Sequence, residues 1–171
     1  ARRGFGELST AATICALLIL ALSHWGGQGS LDSAARAVSL ALLGETALLL
    51  ASAFRRVWLY EAAYGFTTAR LYAQVYMVVL GLVLALLAWE LRERPAVQRL
   101  ARRAMALGLA AVAALGCWNH EAWIARWNIN RAVETGRLDP GYLVWGLSPN
   151  AVPALVDGAS RLPAPLAADI T

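Results

Sequence analysis

Apolar residues along this chain gather in long blocks broken by short charged ones, and they do not alternate. Blocks near the roughly 20 residues that cross a bilayer core predict transmembrane helices. Leu8 to Trp25 holds no acid or Arg and stops at the turn-forming Gly26-Gly27-Gln28-Gly29-Ser30. Ala37 to Phe54 is apolar except for Glu45 and is closed by Arg55 and Arg56. Leu71 to Trp89 carries no charge and ends at Glu90, Arg92, Glu93 and Arg94, with Pro95 blocking simple continuation. Ala104 to Trp118 is shorter, but Arg102 and Arg103 can snorkel and lengthen its reach by a turn. Trp25, Trp58, Trp89 and Trp118 fall at or just beyond the ends of these blocks, where an amphipathic indole meets headgroups. The pattern predicts an all-α integral membrane helical bundle with about four transmembrane helices, residues 1–118, followed by an interfacial helical tail, residues 119–171.

In the tail the period changes. Glu121 to Glu134 places Ala122, Ala125, Ile129, Ala132 and Val133 on one side and Arg126, Asn130 and Glu134 towards another, which predicts an amphipathic helix stopped by Gly136. Leu138-Asp139-Pro140-Gly141 reads as a turn. Ser148-Pro149-Asn150 opens a last short helix with Asn150 as N-cap and Pro153 in its first turn.

Composition supports lipid as the solvent, since 59% of the 171 residues are hydrophobic and 15% charged. The 15 basic residues are all Arg and cluster at block ends, so they read as topology signals and headgroup contacts; nucleic acid is not an expected partner. The Arg residues divide almost evenly between the two sides. The dense Arg92 to Arg103 segment tips the balance towards that side being cytoplasmic, with the tail outside. The first block lacks a small-residue cleavage site and reads as a span, not a signal peptide. Cys15 and Cys117 lie in or beside apolar blocks, outside any haem or zinc motif, and read as buried inert thiols. Small residues at helical spacing, among them Gly81 and Ala85, and Ala106, Ala110 and Ala114, predict close helix packing.

Several phrases occur together: A-R-R-G-F-G-E-L at Ala1 to Leu8, R-R-V-W-L-Y-E-A-A-Y-G-F-T-T-A-R at Arg55 to Arg70, N-H-E-A-W-I-A-R-W-N-I-N-R at Asn119 to Arg131, and L-D-P-G-Y-L with L-S-P-N-A-V-P-A-L in the tail. In this combination the chain resembles a bacterial family of polytopic membrane proteins known as a domain of unknown function, the four-one-five-three and four-one-seven-three group. Gly6 stands where that family usually has a second Phe, and Phe66 where it usually has Leu. The resemblance implies that Ala1 is not the natural start and that further helices precede it. It also implies a multi-pass protein of the bacterial inner membrane, and it brings no known activity, substrate or catalytic residue.

Candidate chemistry is sparse. Glu45, an acid near the middle of a span, costs several kcal/mol unless protonated, paired or hydrated. It is either a proton or cation site facing a cavity, or a carboxylate bonded to a neighbouring helix, through Thr46 or a partner's Arg. Arg55, Arg56, Tyr60, Glu61, Tyr64 and Arg70 surround Gly65 in the loop between two spans, with Thr67 or Thr68 available to cap the next helix. They form either a tight ordered loop or, through the three Arg, a site for anionic headgroups. Asn119, Trp123, Arg126, Trp127, Asn128 and Arg131, with Asn130, form a polar-aromatic patch for a headgroup, glycan or partner, or for seating the tail on the membrane. His24 and His120 end spans on opposite sides, so they cannot share a metal. No cofactor is expected, and no nucleophile elbow, zinc-protease, Walker or dinucleotide signature is present. The sequence therefore predicts a non-enzymatic membrane scaffold or accessory subunit whose tail docks a partner or the membrane surface, the partner being another membrane protein or its own copy. The alternative is a transporter or lipid-handling protein using Glu45 and the interfacial Arg residues.

Overall fold

The structure, a computed structural model, describes residues 33–92, 97–163 and 166–167. The expected span Leu8 to Trp25, with Cys15 and His24, lies outside the described residues, as does Pro95. The described residues are helical and contain no strand. Among the described residues three helices are long and apolar enough to cross a membrane: α1 Ser33–Tyr64, α2 Thr68–Arg92 and α3 Val97–Cys117. After them come α4 His120–Thr135, α5 Pro140–Trp145, a 3-10 turn Pro149–Ala151 and α6 Val152–Ala159.

Each long helix overruns the apolar block that predicts it. Arg55 and Arg56 do not end α1; Ala, Leu, Arg and Glu carry the helix on until Gly65, whose φ of 83° supplies the left-handed turn. The expected loop from Arg55 to Arg70 therefore shrinks to Gly65, Phe66 and Thr67. Similarly, Arg99, Arg102 and Arg103, expected to flank the fourth span, lie within the first turns of α3. Apolar pattern reports hydrocarbon thickness, whereas a helix runs on until its backbone is broken or capped.

The chain divides into two compact units. One takes the described residues up to Arg56 together with Val75–Ala111. In it α1 buries Ser39, Leu43, Thr46 and Leu50, and α2 buries Met77, Leu84, Leu87 and Leu91, stripes with the near-3.5 period of closely packed helices. A Cβ built on Gly81 would lie 3.4 Å from the Leu50 side chain, so α1 and α2 approach closely there.

The other unit takes Val57–Gln74 and Val112–Thr171. Its core is α4, which buries Ala122, Ile124, Ala125, Asn128, Ile129 and Ala132. Val133, expected on that face, is exposed, and Ile124 and Asn128 take the buried positions instead. Ala122 and Ala125 pack on Ala151 and Ala154, and Ile129 and Ala132 on Leu143 and Leu162. Asn119 caps α4 by accepting from the Ala122 N–H at 3.1 Å, and Gly136 at φ 66° ends it. The expected turn at Leu138 to Gly141 is the start of α5, where Asp139 is N-cap and Pro140 opens the helix. Ser148, and not Asn150, caps the last segment, and a 3-10 turn comes before α6. Cys117, expected buried, is exposed at the end of α3.

Candidate functional site

The Gly65 to Thr67 turn is densely hydrogen-bonded. A helical hairpin leaves the last carbonyls of one helix and the first N–H groups of the next without intrahelical partners. Here the tail supplies partners for several of them. Asn128, only 8% exposed, accepts from the Phe66 N–H and donates to the Phe66 carbonyl, both at 2.9 Å. Arg131 donates from Nε to the Ala62 carbonyl at 3.2 Å and from Nη2 to the Ala63 carbonyl at 2.5 Å, placing a cation on the negative end of α1. The Tyr142 hydroxyl accepts from the Thr68 N–H at 2.7 Å and lies 2.9 Å from Thr68 Oγ1. Thr67 Oγ1 accepts from the Arg70 N–H at 3.3 Å, and Arg70 Nη1 reaches back to the Gly65 carbonyl at 2.5 Å. The Phe66 ring meets Trp123 and Trp127 edge-on, with centroids 4.9 and 4.7 Å away.

Much of the predicted tail patch is thus spent on the chain's own turn. Trp123, Trp127, Asn128 and Arg131 clamp it, and Asn119 caps α4 while donating to the Asn150 carbonyl at 3.1 Å. Arg126 and Asn130 are exposed, on the face that the periodicity assigns them. The predicted loop set is split. Arg70 belongs to the clamp, Arg55 and Arg56 stand exposed on α1, and Tyr60 and Tyr64 are exposed with stacked rings 6.0 Å apart. Glu61 is 1% exposed; its Oε2 accepts from Gln74 Nε2 at 2.7 Å, while Oε1 is buried without a hydrogen-bond partner among the described residues.

Of the two expected capping residues Thr67 caps α2 and Thr68 instead meets Tyr142, which sequence reasoning passed over, although the Asp-Pro pair before Tyr142 is a helix-start signal that places the hydroxyl one turn in. His120 lies between the Tyr72 hydroxyl, 2.9 Å from Nε2, and the Trp118 carbonyl, 3.2 Å from Nδ1. A carbonyl can only accept, so Nδ1 carries a proton towards Trp118.

The family model of the domain of unknown function DUF4153 matches residues 1–158. The chain belongs to the DUF4153 family. No curated protein and no solved structure matches it.

In the other unit of this DUF4153 chain two carboxylates stand out. Glu45 is exposed on α1, and Thr46, expected as its hydrogen-bonding neighbour, donates to the Leu42 carbonyl at 2.8 Å. Glu90, read from the sequence as a charge ending the third span, is 2% exposed. It accepts from Arg99 through Nε at 2.8 and 3.1 Å and Nη2 at 2.5 Å, and from Arg103 Nη1 at 3.0 Å. Arg99 and Arg103 are one turn apart on α3, and that spacing is the signal from which the bracket could have been predicted.

Proposed function

We propose that this chain is a non-enzymatic subunit of a multi-pass complex in the bacterial inner membrane, with the α1 face around Glu45 as the surface that meets another transmembrane helix. The Arg92 to Arg103 side is assigned to the cytoplasm and the tail to the outside. Glu45 is the observation that carries the reading. It lies at the centre of the Ala37 to Phe54 apolar block, yet its side chain is exposed on this chain, in line with Val38, Leu48 and Leu49, which are exposed too. A carboxylate facing hydrocarbon costs several kcal/mol, and a donor or cation on a partner helix removes that cost.

A photo-crosslinker at Leu48 in native membranes tests the reading. The expected outcome is a discrete adduct with a second copy or another membrane protein, lost in Glu45→Leu. A chain that crosslinks only to lipid and runs as a lone monomer in mild detergent overturns it. The second reading, transport of protons or cations, rests on the same carboxylate; Glu45→Gln leaving proton-coupled flux unchanged removes it.

A further inference from the structure

We infer that the groove between α2 and α3 is a phospholipid site, with an acyl chain lying along it and the phosphate held by Arg103. The groove measures about 640 Å³, within the range of small-molecule sites, roughly 300–1,000 Å³. On α2 its walls are Leu82, Ala85, Leu86 and Trp89, and on α3 they are Arg103, Ala106, Leu107 and Ala110. Both sets follow the i, i+3, i+4, i+7 rule, so one face of each helix forms the groove over about 10 Å of axis. The alanines, predicted to bring helices together, instead leave the space.

The lining is graded. The Glu90 bracket ties the end of α2 to the first turns of α3, and Arg103 and Trp89 stand at that end; every other lining residue is aliphatic. Arg103 commits Nη1 to Glu90, and its side chain remains 48% exposed. A guanidinium has five N–H donors in a planar fork suited to phosphate, and Glu90 holds that fork in place. An indole beside it suits the headgroup boundary. Leu82 and Trp89 are exposed, so in a bilayer the groove is open to lipid. A hydrocarbon tail ending in a phosphate matches both parts, whereas a transmembrane segment of a partner would match only the aliphatic one. The inference needs α2 and α3 to lie in lipid and is independent of any role for Glu45.

The test is native mass spectrometry of the full chain released from mild detergent, followed by rebinding of phosphatidylglycerol to delipidated protein. Retention of phospholipid by the wild type is expected, with a loss of about tenfold in affinity for Ala106→Trp and for Arg103→Gln. Diacylglycerol, which lacks the phosphate, should bind weakly to the wild type and no worse to Arg103→Gln. Ala106→Leu fills the groove more gently and serves if the Trp variant fails to fold. Unchanged phosphatidylglycerol affinity in a folded groove-filling variant overturns the site, as does equal binding of diacylglycerol. A crosslink from the Ala106→Cys variant to a protein segment would assign the groove to a helix and overturn it too.

Discussion

Asn128 does for Phe66 what a neighbouring peptide group would do: one side chain accepts the N–H and returns a donor to the carbonyl. A turn in this position cannot rely on free water for both groups, and each hydrogen bond contributes about 1 kcal/mol net, more when its loss leaves a buried group unpaired. Asn128→Ala should therefore destabilise the protein by about 2–3 kcal/mol, measured by denaturation in mixed micelles. Asn128→Asp should recover little of this, because it keeps the acceptor but sets a carboxylate oxygen against the Phe66 carbonyl. Gly65 adds a dependent constraint. Its φ of 83° disfavours any side chain, and a Cβ there would run into the Asn128 side-chain oxygen. Gly65→Ala should cost about 1–2 kcal/mol from the backbone alone and more from the collision. In an Asn128→Ala background the collision is gone, so the two substitutions should be less than additive.

Among the elements, the ion bracket between α2 and α3 separates what the sequence reveals from what it hides. The three long helices are legible because hydrocarbon demands long apolar blocks, and Leu71 to Trp89 predicts the body of α2 well. Their ends are not, since charges at the rim of a block do not stop a helix. Glu90 illustrates this: it looks like a rim charge, and only the return of α3 shows it to be buried between two guanidinium groups. The tail patch is half legible in the same way. Its Trp, Asn and Arg residues announce a polar-aromatic surface, but the partner of Asn128 lies 62 residues earlier, and no local period encodes that. Arg99 grips Glu90 through both Nε and Nη2, whereas Arg103 uses a single nitrogen. Arg99→Gln should accordingly cost more than Arg103→Gln, about 1–3 kcal/mol against about 1 or less, since both guanidiniums are partly exposed and a carboxylate that keeps the other guanidinium is still paired. Parallel denaturation of the two variants in micelles decides the order.

At the scale of the whole molecule, the boundary between the two units cuts α1 after Arg56 and α2 after Gln74, so each of these helices belongs to both. Helix continuity alone would make the hairpin one body along its length. Side-chain bonding argues for a different division, because the clamp residues Asn128, Arg131 and Tyr142 all act on positions 62–68 and the Glu90 bracket ties α2 to α3. Cooperative units follow such contacts more than they follow element boundaries. Hydrogen exchange on Asn128→Ala tests the division directly. Protection should fall together across Val57–Gln74 and across α4 and α5, while Leu84, Leu87 and Leu91 keep theirs. In Arg99→Gln the loss should run the other way, confined to the C-terminal turns of α2 and the first turns of α3. If Asn128→Ala instead raises exchange evenly along all of α1 and α2, the helices transmit the disturbance and the hairpin is the true folding unit. The reason to expect the first result is energetic: a helix propagates order cheaply through its own hydrogen bonds, so losing a clamp at one end frays turns near that end and stops where an independent packed stripe, here Met77 to Leu91, holds the backbone.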